Sequence, residues 1–183
     1  STSSETSNST EEGSTQSLVD YALSWNENPN ILYQFGGPGR GLPLETCDSK
    51  KLKTDCSGFV SSVYTHFNIT KCSGSSDTKY KKALKKGIKE KDAVAGDIAW
   101  WSHGHVAIYL GDGKIIHTNT PKGKFPENAI HISSYENYTK PDCYIRFVKD
   151  VKEYGTLESG TSKSIKDAKS TGSAIDESDL TGM

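Results

Sequence analysis

No apolar run in these 183 residues approaches the ~18 that a membrane-spanning helix needs. Charge of one sign is not in excess either. Lys and Arg number 22 against 23 Asp and Glu, a formal net charge of −1, so there is no electrostatic ground for a nucleic-acid partner. Cysteine is sparse, and Cys47, Cys56, Cys72 and Cys143 match neither a zinc ribbon nor a small disulfide scaffold. One or two disulfides stay open on spacing alone. The chain starts at Ser1 with no initiator Met and no signal-peptide pattern, which reads as a processed product or a fragment. No internal repeat is visible.

Apolar periodicity is also missing from both ends. Residues 1–16 are mostly Ser, Thr, Glu, Asn and Gly, and such a segment cannot bury enough surface to offset its ordering entropy. Residues 151–183 have similar character. The expected organisation is a flexible linker over 1–16, one foldable domain over 17–150, and a flexible tail over 151–183.

Inside that domain, Leu18, Ala22 and Trp25 recur at helical spacing. A Gly/Pro-rich loop follows from Gly36 to Gly41. Cys56, Phe59, Val60, Val63, Tyr64 and Phe67 then fall on one face of a helix of about three turns, with Cys56 in the first turn. The Lys-rich stretch from Lys79 to Lys91 reads as a solvated face. Short apolar runs predict strands over 97–101, 105–110, 114–118, 129–132 and 144–148. Helices first and strands afterwards give an α+β class, with the helices packed on a mainly antiparallel sheet.

A thiol attacks as its thiolate, which a helix N-terminus or an adjacent imidazolium stabilises. Cys56 has the first feature, with Asp55 before it as an N-cap. Two histidines can supply a base. His105 opens one strand and His117 lies near the end of the next. A three-residue connection, Gly111-Asp112-Gly113, would be a type I turn closed by a left-handed Gly. That register pairs Leu110 with Lys114 and Ala107 with His117. It puts His105, Ala107, Tyr109, Ile115 and His117 on one face, and Val106, Ile108, Leu110 and Ile116 on the other, which packs as core. The two histidines become diagonal neighbours with Cβ atoms on the order of 7 Å apart. A two-residue loop would split them between faces. Nucleophile, base and orienting group would then be Cys56, His105 and His117.

Zinc is the chemical rival, with His103, His105 and His117 as three imidazole ligands. Against it, His103 and His105 flank a Gly, and no nearby carboxylate offers a fourth ligand or a base. The expectation is no metal and no cofactor. His66 and His131 have no partner that the sequence names. Sequons at Asn8, Asn68 and Asn137 would matter only in a eukaryotic secretory pathway.

Five motifs, in order, resemble those of the NlpC/P60 family of cell-wall peptidases. Thr54-Asp55-Cys56-Ser57-Gly58-Phe59-Val60 is similar to the family's nucleophile motif. Gly96-Asp97-Ile98-Ala99-Trp100-Trp101, His105-Val106-Ala107-Ile108-Tyr109-Leu110-Gly111 and Gly113-Lys114-Ile115-Ile116-His117 are similar to three of its strands. Tyr33-Gln34-Phe35-Gly36-Gly37 is similar to its upstream aromatic motif.

The resemblance implies a papain-like α+β fold and an endopeptidase of peptidoglycan stem peptides, cutting between γ-D-Glu and the diamino acid. By position it makes Cys56 the nucleophile, His105 the base, His117 the polar third member and Tyr33 a hydroxyl for the oxyanion. Asp55 and Ser57 would line the pocket for the free amino end of the stem and its γ-D-glutamyl residue. It implies a secreted or surface location, with a Gram-positive host expected. The linkers would join further wall-hydrolase domains, and proteins of that build serve wall remodelling, phage lysis and conjugation. A secretion or conjugation apparatus is thus a candidate partner. Two features depart from the family: a long segment from Gly37 to Asp55 containing Cys47, and the Lys-rich stretch in place of Pro-Arg-Thr-Ser. A silent wall-binding module and an acyl- or amide-transferase on the same scaffold are the functional rivals.

Overall fold

Two short parallel strands, not foreseen in the sequence, deliver the cysteine to its helix. Strand β1 (Ile31–Tyr33) pairs with β2 (Leu52–Thr54), Tyr33 opposite Thr54. The computed structural model describes residues 16–69, 80, 83–119 and 130–155. The rest of the expected linker and tail, Cys72 and Ala129 lie outside the described residues, as do Lys79 and parts of the Lys-rich stretch.

Helix α1 (Leu18–Leu23) begins where the Ser17 hydroxyl accepts the Asp20 N–H. It ends before Trp25, so the helical spacing persists for less than two turns. The long segment after Gly37 includes a 3-10 element, Leu44–Asp48, which buries Leu44 and Cys47 before the chain enters β2. Helix α2 (Cys56–His66) has the length its apolar spacing predicts. Phe59, Val60, Val63 and Tyr64 are fully buried, each contributing roughly 1.5–3 kcal/mol relative to exposure.

The remaining strands form one antiparallel sheet: β3 (Ile98–Trp101), β4 (His105–Gly111), β5 (Lys114–Thr118), β6 (Ile130–Ser134) and β7 (Cys143–Ile145), in the order β6-β5-β4-β3-β7. The expected α+β architecture, helices on a mainly antiparallel sheet, is the one the chain forms. Alternation sorts the sheet residues. Val106, Ile108, Leu110 and Ile116 meet the helices in the main core. Ala107, Tyr109 and Ile115 join Ala99, Trp101, Tyr138 and Tyr144 on the opposite face.

The hairpin that aligns the histidines corrects the expected turn. Asp112 and Gly113 both have positive φ, +51° and +69°, the signature of a two-residue type I′ turn. Gly111 pairs with Lys114, where Leu110 was expected. A register shift between Tyr109 and Gly111 then restores Tyr109 opposite Ile115 and Ile108 opposite Ile116. One extra residue in a bulge changes strand parity as a longer loop would. Gly111 itself sits at φ +90°, which glycine adopts at little cost.

The folded part also extends beyond residue 150. Asp150 caps a 3-10 turn, Val151–Tyr154, and Tyr154 is buried in the main core. Its hydroxyl donates to Asp97 at 2.8 Å. The expected tail boundary therefore falls short, because one aromatic in a polar stretch can still anchor it.

Candidate active site

Cys56 stands at the first position of α2 because Asp55 stops the strand-to-helix turn there. The Asp55 carboxylate accepts the Gly58 N–H at 2.9 Å and caps the helix. Gly58 is required by the close approach. A Cβ there would lie 2.2 Å from Thr54 Oγ1 and 2.9 Å from Arg40 Cγ.

The same carboxylate ties down the upstream glycine-rich loop. It accepts the Gly36 N–H at 2.9 Å, Arg40 Nε at 3.1 Å and the Ser57 hydroxyl at 3.2 Å. Arg40 Nη2 also donates to Ser57 Oγ at 3.1 Å. Asp55 is only 6% exposed, and its four accepted bonds match the capacity of a carboxylate. The sequence did not show that Arg40 stands over the pair Asp55 and Ser57. Tyr33 ends β1 beside Thr54, two residues before Cys56. Phe35, next along that loop, is 86% exposed.

The Cys56 sulfur lies against the start of β4. Burial pushes its pKa up, and hydrogen bonds from the backbone N–H groups of Val106 and Ser57 partly oppose that rise. Val106 directly follows His105, so the thiol and the first imidazole share one corner of the fold. The thiol takes backbone donors in this state. Proton transfer to the ring needs the two to close up, as active-site hydrogen bonds commonly do only when substrate binds.

The histidines form a row across three strands. His105 Nε2 and His117 Nδ1 are 2.7 Å apart. That is a hydrogen bond, and it is too short for two imidazole ligands of one tetrahedral zinc ion, which stand about 3.3 Å apart. His117 Nε2 contacts Ser133 Oγ at 2.8 Å. His131 on β6 pairs directly with His117 on β5, ring centroids 4.6 Å apart. Burial draws the pKa of His105 and of His117 well below the ordinary imidazole value, and neighbouring histidines add to the effect. Trp101 packs at 5.3 Å from His105, and Tyr138 sets its edge against His117 at 5.0 Å. These rings shield the histidine hydrogen bond from water.

Thus the fold brings Cys56, His105 and His117 to one end of the sheet, with Asp55 and Ser57 flanking Cys56 in the chain and Tyr33 opposite Thr54. His103 is exposed, its ring parallel to that of His105 at 6.4 Å. His66 is at the far end of α2, stacked on Tyr21. Ser133 and Arg40 are the residues that sequence reasoning missed. The expected strand stopped at Ile132, one position short of Ser133. Its alternation from His131 was the available signal.

The profile of the NlpC/P60 family matches residues 31–144. Comparison with the curated proteins gives no match. Among solved structures, the chain is similar to the NlpC/p60 domain of the peptidoglycan hydrolase SagA: 26% identity, TM-score 0.48, 71% of this chain and 96% of that one. It is also similar to the peptidoglycan hydrolase RipB from Mycobacterium tuberculosis: 16% identity, TM-score 0.45, 72% of this chain and 67% of that one. A third is the P60 domain of antigen MAP1204 from M. avium subspecies paratuberculosis: 18% identity, TM-score 0.44, 73% of this chain and 96% of that one.

Proposed function

The chain belongs to the NlpC/P60 family, and on that premise we propose that it hydrolyses peptidoglycan stem peptides at the γ-D-glutamyl to diamino acid bond. The observation that carries the chemistry is the 2.7 Å bond between His105 Nε2 and His117 Nδ1. It commits Nε2 of His105 and leaves Nδ1 as the nitrogen for the thiol.

Burial favours a neutral thiol and a neutral imidazole at rest. Sγ of Cys56 bonds to the scissile carbonyl carbon while its proton passes to His105 Nδ1. The Tyr33 hydroxyl supports the developing oxyanion, where one donor is typically worth ~3 kcal/mol. The His105 proton then goes to the leaving amine as the C–N bond breaks, and water activated by the same ring hydrolyses the thioester, which frees the carboxylate and returns a proton to Sγ. The substrate class is the one implied by the family. It gives the protein a secreted or surface workplace, with the flanking segments as links to other wall-acting modules.

The test is incubation with purified muropeptides, the products weighed by mass spectrometry. Wild type cleaves, Cys56→Ala and His105→Ala do not, and His103→Ala retains turnover. Binding without cleavage by wild type would make the domain a silent wall-binding module. Loss of turnover with a chelator would restore the zinc reading.

A further inference from the structure

We infer that Ser133 is a positioning residue of this active site, the hydrogen-bond partner at His117 Nε2 whose hydroxyl oxygen favours the His117 tautomer that lets His105 act as a base. The inference rests on the proposed Cys56–His105 chemistry and extends it by one residue on a third strand.

A neutral imidazole carries one proton, so one ring nitrogen donates and the other accepts. His105 must present an unprotonated Nδ1 to take the thiol proton. Its own proton is then on Nε2, donated to His117 across 2.7 Å. His117 Nδ1 must therefore be an acceptor, which places the His117 proton on Nε2. That proton needs an acceptor in a buried setting. Ser133 Oγ is 2.8 Å from Nε2, and both residues are at most 2% exposed.

The opposite tautomer disables the site. If His117 carried its proton on Nδ1, it would donate to His105 Nε2. The His105 proton would then move to Nδ1, and that nitrogen would face the thiol as a donor. In the ion-pair state, with His105 doubly protonated, His117 needs the same Nε2–H form. Both competent states thus depend on one acceptor at His117 Nε2. His131 and Tyr138 pack around the His117 ring, but the hydrogen bond at Nε2 comes from β6 through Ser133.

The placement follows from strand alternation. Ile115 lies opposite Ser133, and His117 lies opposite His131. Ser133 is therefore the diagonal neighbour of His117 on the same face, within side-chain reach. Ala at this position would fit the space and remove the acceptor, and Thr would keep it.

The experiment measures Ser133→Ala and Ser133→Thr by nitrogen-15 NMR of the histidine rings and by muropeptide turnover. In wild type, His117 should show a protonated Nε2 and an unprotonated Nδ1. In Ser133→Ala the ring should become a tautomer mixture, and kcat should fall about 10–100-fold, the range typical of an outer-shell orienting partner, with KM within about twofold. Ser133→Thr should restore the tautomer and most of kcat. An unchanged His117 tautomer in Ser133→Ala overturns the inference, as does a loss confined to KM or to thermal stability. The NMR arm needs no substrate. A protein that cleaves no muropeptide yet shows the tautomer change refutes the proposed activity and leaves the Ser133 effect on the tautomer standing.

Discussion

Two aspartates sit at opposite ends of the domain in nearly identical company, and they do different work. Asp97 accepts four bonds: from the Val94 N–H at 2.9 Å, from Arg146 Nε at 2.9 Å and Nη2 at 2.7 Å, and from the Tyr154 hydroxyl at 2.8 Å. Asp55 also accepts four, from Gly36, Arg40, Ser57 and Gly58. Asp97 is fully buried and its arginine grips both oxygens. The Asp55 arginine reaches one oxygen at 3.1 Å and remains 30% exposed. The first is a closed staple joining β3, the segment after β7 and the last 3-10 turn. The second is a clasp, next to Cys56, that draws only one of its four bonds from the partly exposed arginine. Equal hydrogen-bond counts therefore do not imply equal roles, and the two-oxygen grip of Arg146 against the single contact of Arg40 distinguishes them.

The largest expected effect comes from breaking the staple. Arg146→Met leaves a buried carboxylate without its counter-charge and should destabilise the fold by roughly 3–5 kcal/mol. Urea titration measures it, and muropeptide turnover per folded molecule should stay near wild type. A loss of less than about 1 kcal/mol would mean that the remaining donors suffice.

Acid sharpens the comparison at the thiol end. His105 and His117 have folded pKa values below their unfolded value of about 6.5. Below that pH the unfolded chain binds more protons than the native one, so stability falls as pH falls, until the folded pKa values are reached. The slope can reach about 1.4 kcal/mol per pH unit per histidine. His117→Asn should flatten the melting temperature between pH 6.5 and 5, and an unchanged profile would exclude His117 from the effect. The same burial should keep His105 neutral, and turnover on its plateau, to below pH 6.5.

Opening the clasp should cost less stability and more function. Asp55→Ala removes the helix cap and the loop ties together, for about 1–2 kcal/mol. Its kcat/KM should drop by more than that stability loss explains, because Cys56 loses its anchor. Stopped assays beside equilibrium unfolding separate the two.

The smallest stability effect belongs to Arg40→Met, under about 1 kcal/mol for a partly exposed pair. On the proposed function it also tests specificity. With Arg40 in place, the Asp55 carboxylate is already matched and cannot accept an ammonium until Arg40 swings aside. Stem peptides with a free amino end should therefore gain more from Arg40→Met than stems whose amino end is capped as an amide. Equal change for both, measured in competition, would remove Arg40 from substrate choice.

Much of the fold is local in origin and was legible. Apolar spacing marked α2 from Cys56, and alternation sorted the two faces of β4 and β5. The His105–His117 neighbourhood was reached through the wrong turn. Gly111-Asp112-Gly113 reads in the sequence as one three-residue loop, whereas the chain makes a two-residue turn and a bulge of the same parity. Sequence periodicity reports parity, and it does not distinguish the two ways of achieving it.

By itself, then, the sequence determined which residues share a helix face or a strand face, because those periods are set by backbone geometry within a few neighbours. It also supplied the motifs that mark the family. The tertiary structure alone decided that Arg40 closes on Asp55, that Tyr154 returns to Asp97, and that Ser133 meets His117. Each of these joins residues 15 to 57 positions apart. Such pairings depend on how whole elements dock, and no local period encodes that.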